Sequence, residues 1–204
     1  MRNNKTMDQK SSKKFNSFFN TNSLDIYKFD FTKFQNNIYY SFFEKDKNRD
    51  YYVNVIWYLE ELLEFILELF YIINSESNLE LFSNNQELAL NKLERLKLEL
   101  SDVFAWIFSI LNLNNIKINQ VFIILGSSEY FNENNLDFIF SNLVYSNLYF
   151  IKSIKKKDLK NLKNAACLII FYLIKISFIL KIDLNEVFQR YEVCPKCNQK
   201  KCVC

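Results

Sequence analysis

"YLEELLEFILELF", residues 58–70, sets four glutamates into a run that is otherwise apolar. At about 100° per residue, Glu60, Glu61, Glu64 and Glu68 fall within little more than one quarter of a helical circumference. Leu62, Leu63, Phe65, Ile66, Leu67, Leu69 and Phe70 cover the rest. A helix so patterned belongs in a bundle, its apolar arc turned toward neighbours. The acidic stripe alone has two readings: the wet face of an ordinary bundle helix, or carboxylates aimed at something positive.

A second stretch separates them. In "LKLELSDVFAWIFSI", residues 96–110, Glu99 and Asp102 are three apart and share a helical face. Trp106 and Ile110 lie on that face with Val103 beside it, while Ser101, Ala105, Ser109 and Asn112 lie on a different side. These acids sit inside the apolar stripe. Burying a carboxylate costs on the order of several kcal/mol unless a cation or proton compensates. Arg95, one helical turn before Glu99, is one such cation. A metal is the other. Two antiparallel helices that each offer acids at i and i+3 to a common seam form a carboxylate cage. Mg²⁺ accepts that ligand set and keeps open positions for phosphate oxygens.

Composition narrows the chemistry further. The 204 residues include no His, one Gly and one Pro, and the net charge is +3. Without His there is no imidazole base, no Ser-His or Cys-His dyad and no His metal ligand. A lone Gly126 excludes phosphate loops, which need several glycines. So small a positive charge gives no argument for a nucleic-acid partner. Asparagine is abundant, and it tolerates left-handed geometry, so it is expected at the turns where glycine would normally stand.

Along the chain, residues 1–24 read as a basic, disordered tail, with an organelle-targeting peptide as the alternative. Helical patterning runs from Tyr51 to Tyr71, from Gln86 to Leu113, and over 133–150, 159–181 and 184–191, with no convincing period-two alternation. The chain is therefore expected to be all-α. "AACLIIFYLIKISFILKI", residues 165–182, is the one candidate membrane span. It is short and carries Lys175 near its centre, so a buried bundle helix with the Lys175 amine at a wet edge is expected instead. Residues 103–122 align without gaps to 169–188, both ending in Asn-x-Val-Phe, which suggests a duplication. That register sets Ala165 and Leu168 opposite Glu99 and Asp102, so the second copy has no acids. The domain reading is 25–125 for the acidic helical unit, 126–192 for a degenerate repeat and 193–204 for a Cys-rich tail. Cys194, Cys197, Cys202 and Cys204 supply a C-x-x-C and a C-x-C, a thiolate set suited to Zn²⁺ in a reducing compartment. Cys167 falls in an apolar helix and reads as a buried small hydrophobe.

At Glu60, Glu61, Glu64, Glu99 and Asp102 the sequence resembles the MazG-like, all-α nucleotide pyrophosphohydrolases, whose pattern is E-E-x-x-E, an interval, then E-x-x-D. The resemblance takes in "FEKDKNRDYYVNVIWYLEELLE", "ELSDVFAWIFSILN" and the Cys-rich tail, about residues 43–122 and 182–204. It implies a helical bundle that splits a nucleoside triphosphate between its α and β phosphates with Mg²⁺ or Mn²⁺. Glu61, Glu64, Glu99 and Asp102 would be metal ligands, and Glu60 a helper that orients or deprotonates the attacking water. Asn112 and Trp106 would touch substrate. A homodimer in the cytoplasm is the implied setting, with neither nucleic acid nor membrane as a partner. Leu63 stands where the family commonly has Gly, the Glu64–Glu99 interval is long, and the stretch 122–182 is extra. The rival readings are a bundle of the same fold that only binds or scaffolds, and a small membrane protein. Glu68, on the acidic stripe but outside the motif, is expected to be dispensable.

Overall fold

A computed structural model describes residues 29–76, 86–119 and 135–203. The basic stretch 1–24, Gly126 and Cys204 lie outside the described residues. Helix α1 spans Phe31–Lys47, α2 Tyr51–Glu76, α3 Gln86–Leu113, α4 Leu136–Lys156, α5 Leu159–Ile179 and α6 Leu184–Gln189. Among the described residues there is no strand, and the all-α expectation holds.

Helix α1 lies ahead of the first expected helix. Its pattern is hard to see because Gln35 and Ser41 take buried positions while Tyr39 and Tyr40 face out. Phe31, Phe34 and Ile38 form the inward stripe, and Asp30 caps the first turn by accepting from the Lys33 amide at 2.8 Å. Gln35 has a reason to be inside. Its amide donates to Asn112 Oδ1 at 3.0 Å and to the Ile116 carbonyl at 2.7 Å, and its Oε1 accepts from the Ile118 amide at 2.8 Å.

Helices α2 and α3 run antiparallel, since Trp57 meets Trp106, Glu61 nears Asp102, and Glu68 pairs with Arg95. Helix α2 has three faces rather than two. Val55, Tyr58, Leu62, Phe65 and Leu69, spaced by three and four, are buried. The glutamates form a second face. Tyr52, Ile56, Leu63, Leu67 and Phe70 form a third and are exposed. Helix α3 is the central element, packed by α1, α2 and α6 and touched by α5. This is why Ser101, Ala105, Ser109 and Asn112, away from its acidic face, are buried as well.

Helices α4 and α5 form a hairpin whose tight turn has Lys157 at φ 54°. Lys157 and Asp158 donate their amides to Ile154 and Ser153, the pattern of a Schellman cap. The same cap ends α3, with Asn115 at φ 55° and Ile116 bonded back to Leu111, and α5, with Lys181 at φ 55° and Ile182 bonded back to Ser177. In the alignment of 103–122 with 169–188, Asn115 falls on Lys181, Ile116 on Ile182 and Leu111 on Ser177. The two aligned segments thus stop at the same register. Asparagine takes the left-handed position at Asn115 and Asn198, as composition suggests, but lysine takes it at Lys157 and Lys181.

One hydrophobic core runs through both hairpins. Helix α5 is the one described helix long and apolar enough to cross a membrane, and most of its apolar window is buried in the bundle. Lys175 is not at a wet edge: it is 4% exposed, with its ammonium 5.7 Å from the Phe171 ring centre. The negative face of that ring is one favourable contact for the ammonium in place of the expected water. Cys167 is buried, its thiol pushed up to about 12 by desolvation.

Candidate active site

An aromatic plug positions the site. Phe188 of α6 stacks on Phe34 at 4.2 Å and meets Phe31 and Phe104 edge-on at 5.3 and 5.2 Å. Asp183 caps α6 by accepting from the Asn185 amide at 2.8 Å. With α6 anchored, the residues just after it reach back to α3. Arg190 Nη2 lies 3.0 Å from Asp102 Oδ2, and the Tyr191 hydroxyl donates to Asp102 Oδ1 in a short hydrogen bond.

Across the α2–α3 seam, carboxylate oxygens of Glu61, Glu99 and Asp102 lie within 4.8 Å of one another. Glu64 and Glu60 join Glu61 and Asp102 on the wall of an adjoining cavity of about 410 Å³. Burial, reinforced by the charges of Asp102, Glu99, Glu64 and Glu60, pushes the Glu61 carboxyl up to about 7. Glu99 is raised by burial and then by Glu64 and Asp102. Asp102 is raised by burial against the opposing pull of Tyr191 and Arg190. The Tyr191 phenol is raised by burial and by the Asp102 charge, so it stays a proton donor. Such a crowd of acids is held against its own repulsion, and a hard divalent cation relieves it.

Aromatic and cationic groups line the cavity as well. Trp57 and Trp106 meet edge-to-face at 5.5 Å, and the Arg49 guanidinium lies 3.9 Å over Trp57. Arg49 is fixed by Asp46 at 3.1 Å and Asn54 at 2.7 Å, and Asp46 also accepts a short hydrogen bond from Ser109. Lys45, Arg190 and Lys196 complete the positive lining. The cavity thus combines acids able to hold a metal with cations able to meet phosphates and flat rings able to meet a base.

The expected residues distribute unevenly. Glu61, Glu99 and Asp102 converge, Glu60 and Glu64 line the cavity, and Trp106 is on its wall. Asn112 is elsewhere: it is buried in the network with Gln35 and is not part of the cavity wall. Glu68 is 8% exposed and bonded to Arg95 at 2.7 Å, so Arg95 is taken by Glu68 rather than by direct pairing with Glu99. Trp57, Arg49, Arg190 and Tyr191 are cavity residues that motif spacing does not single out. Trp57 is three residues before Glu60 and shares its face, which is the one local signal available. Cys194 and Cys202 also line the cavity, with Cys197 beside them. Compared with protein-family models, curated proteins and solved structures, the chain shows no match.

Proposed function

We propose that this chain is a Mg²⁺-dependent nucleoside triphosphate pyrophosphohydrolase of the MazG-like type. It adds water across the bond between the α and β phosphates, and the products are a nucleoside monophosphate and pyrophosphate. The observation that carries the reading is the convergence of Glu61, Glu99 and Asp102 across two helices at a cavity lined as well by cationic and aromatic groups. These three, with Glu64, would hold the metal. A bound Mg²⁺ would neutralise phosphoryl charge and ease deprotonation of the attacking water. Glu60, on the cavity wall, would orient the attacking water and take its proton. Arg49 and Lys45 meet the phosphate oxygens, and the Trp57–Trp106 pair meets the base. Pyrophosphate release from a panel of nucleotides, with and without Mg²⁺, tests the reading; no release from any of them overturns it.

A second reading has an observation of its own. Both oxygens of Asp102 are already engaged, by Arg190 and Tyr191. This favours a bundle that binds nucleotides or scaffolds without turnover, and the same panel together with nucleotide binding separates the two. The proposal includes a homodimer, supported by the outward apolar face of Tyr52, Ile56, Leu63, Leu67 and Phe70. Light-scattering mass in solution tests it.

A further inference from the structure

The tail that follows Tyr191 is folded. The Asn198 amide donates to the Cys194 carbonyl and the Cys194 amide to the Gln199 carbonyl, both at 2.8 Å. Asn198 takes φ 55°, so the chain reverses tightly between Cys197 and Gln199. The reversal gathers Cys194, Cys197 and Cys202, whose sulfurs all lie within 4.8 Å of one another. A tetrahedral ion with Zn–S bonds of about 2.3 Å sets its sulfurs ~3.8 Å apart, so a small inward adjustment closes the set. The described cysteines form no disulfide with one another.

This knuckle is tied to α1. The Cys202 amide donates to the Ser41 carbonyl at 3.0 Å, the Ser41 hydroxyl to the Lys200 carbonyl at 2.8 Å, and the Lys45 ammonium lies 3.8 Å from the Cys202 sulfur. A cationic donor beside a sulfur is the outer support that metal thiolates use. Cys194, Pro195 and Cys202 form part of the wall of the cavity that holds Glu61 and Asp102. Cys194 is only three residues beyond Tyr191, the partner of Asp102.

We propose that Cys194, Cys197 and Cys202 bind Zn²⁺ and that the ion latches the C-terminal segment onto α1, closing the carboxylate cavity and fixing Arg190 and Tyr191 against Asp102. The zinc site stands on the thiolates alone. Its effect on turnover rests on the pyrophosphohydrolase reading, whereas its effect on the cavity wall does not.

Both tryptophans of the chain, Trp57 and Trp106, line that cavity, so intrinsic fluorescence reports on it without background. The full chain, purified under reducing conditions, is expected to carry about one zinc per chain by elemental analysis. Co²⁺ exchanged into it should give thiolate charge-transfer absorption. Stripping zinc with a chelator should shift tryptophan emission while circular dichroism keeps the helical signal, and re-adding Zn²⁺ should reverse the shift. Cys197→Ser should lower zinc content at least tenfold, whereas Cys167→Ser, at a buried thiol remote from the knuckle sequence, should leave it unchanged. Chains that hold no zinc, or that show a disulfide by intact mass, overturn the site. Zinc that comes and goes with no change in tryptophan emission overturns the latch. Neither readout involves hydrolysis, so an inactive protein that passes both retains the latch and loses only the enzymatic reading.

Discussion

Arg190 and Asp102 are 88 residues apart in sequence and joined by a 3.0 Å contact. The pairing sets a guanidinium at the edge of an acidic site, where it offsets one carboxylate and stands ready for a phosphate. Replacing Arg190 by Gln removes the charge and keeps a donor. Under the proposed function the KM for nucleotide should rise about tenfold, the value of roughly 1.4 kcal/mol for one partly buried charged contact. Mn²⁺ affinity, read by titration, should hold or tighten, because a competing cation has gone. A KM unchanged with weaker metal binding would refute this role.

Tyr191→Phe isolates the hydroxyl. The ring still packs on Phe34 and Phe42, so the fold should survive. The Tyr191 hydrogen bond lowers the Asp102 pKa, so its loss lets burial raise that carboxyl further. Metal binding should then weaken most at mildly acid pH and recover as pH rises. A metal-binding pH profile that does not move would show that the hydroxyl has no such part.

Phe188 connects the fold to the site. Truncation to Ala opens a hole among Phe31, Phe34 and Phe104 and should cost about 3 kcal/mol of stability. Phe188→Leu fills much of the space and should cost less than half as much. Both variants should lose activity beyond what unfolding explains, since Arg190 and Tyr191 hang from this anchor. Thermal melts read beside turnover at a temperature where each variant is folded check the point.

Glu68 is a structural acid. With a buried carboxylate bonded to an Arg95 that is largely exposed, Glu68→Gln should lower stability by about 0.5–1 kcal/mol and leave turnover intact. Glu64→Gln, on the same helix face but at the cavity, should do the reverse. Two variants with equal activity would mean that Glu64 has no part in turnover.

The bundle was legible because helical periodicity is local, and α2 and α3 carry it in strong form. Helix α1 was not, because its buried polar residues are satisfied by distant partners such as Asn112 and Ile116, which no window of α1 contains. The site was half legible for the same reason. Acids at i and i+3 declare a shared face, whereas Arg190 and Tyr191 reach Asp102 only through the packing of Phe188. Asn112 and Lys175 mislead because side-chain type says nothing of whether a buried partner exists. Stripe position alone does not reveal that Arg95 covers Glu68.

The opening glutamates give the pH prediction its sign. Glu61 has a carboxyl raised from 4.5 to about 7 in the folded, metal-free protein. Between those values the folded state holds a proton that the unfolded state has released, so stability must fall as pH rises. The penalty is absent below 4.5, grows through the interval and is complete above about pH 7. Denaturant midpoints of metal-free protein should therefore decrease from pH 5 to pH 8. Glu61→Gln carries no charge to penalise, so it should be more stable than the parent at pH 8, match it near pH 5 and show a flatter profile. Adding Mg²⁺ should restore the parent at pH 8 and do little at pH 5, where protons occupy the site that the metal needs. The same substitution should abolish most pyrophosphate release. A parent whose metal-free stability is level from pH 5 to pH 8, and which Mg²⁺ leaves unchanged at pH 8, would mean that these carboxylates are wet and independent.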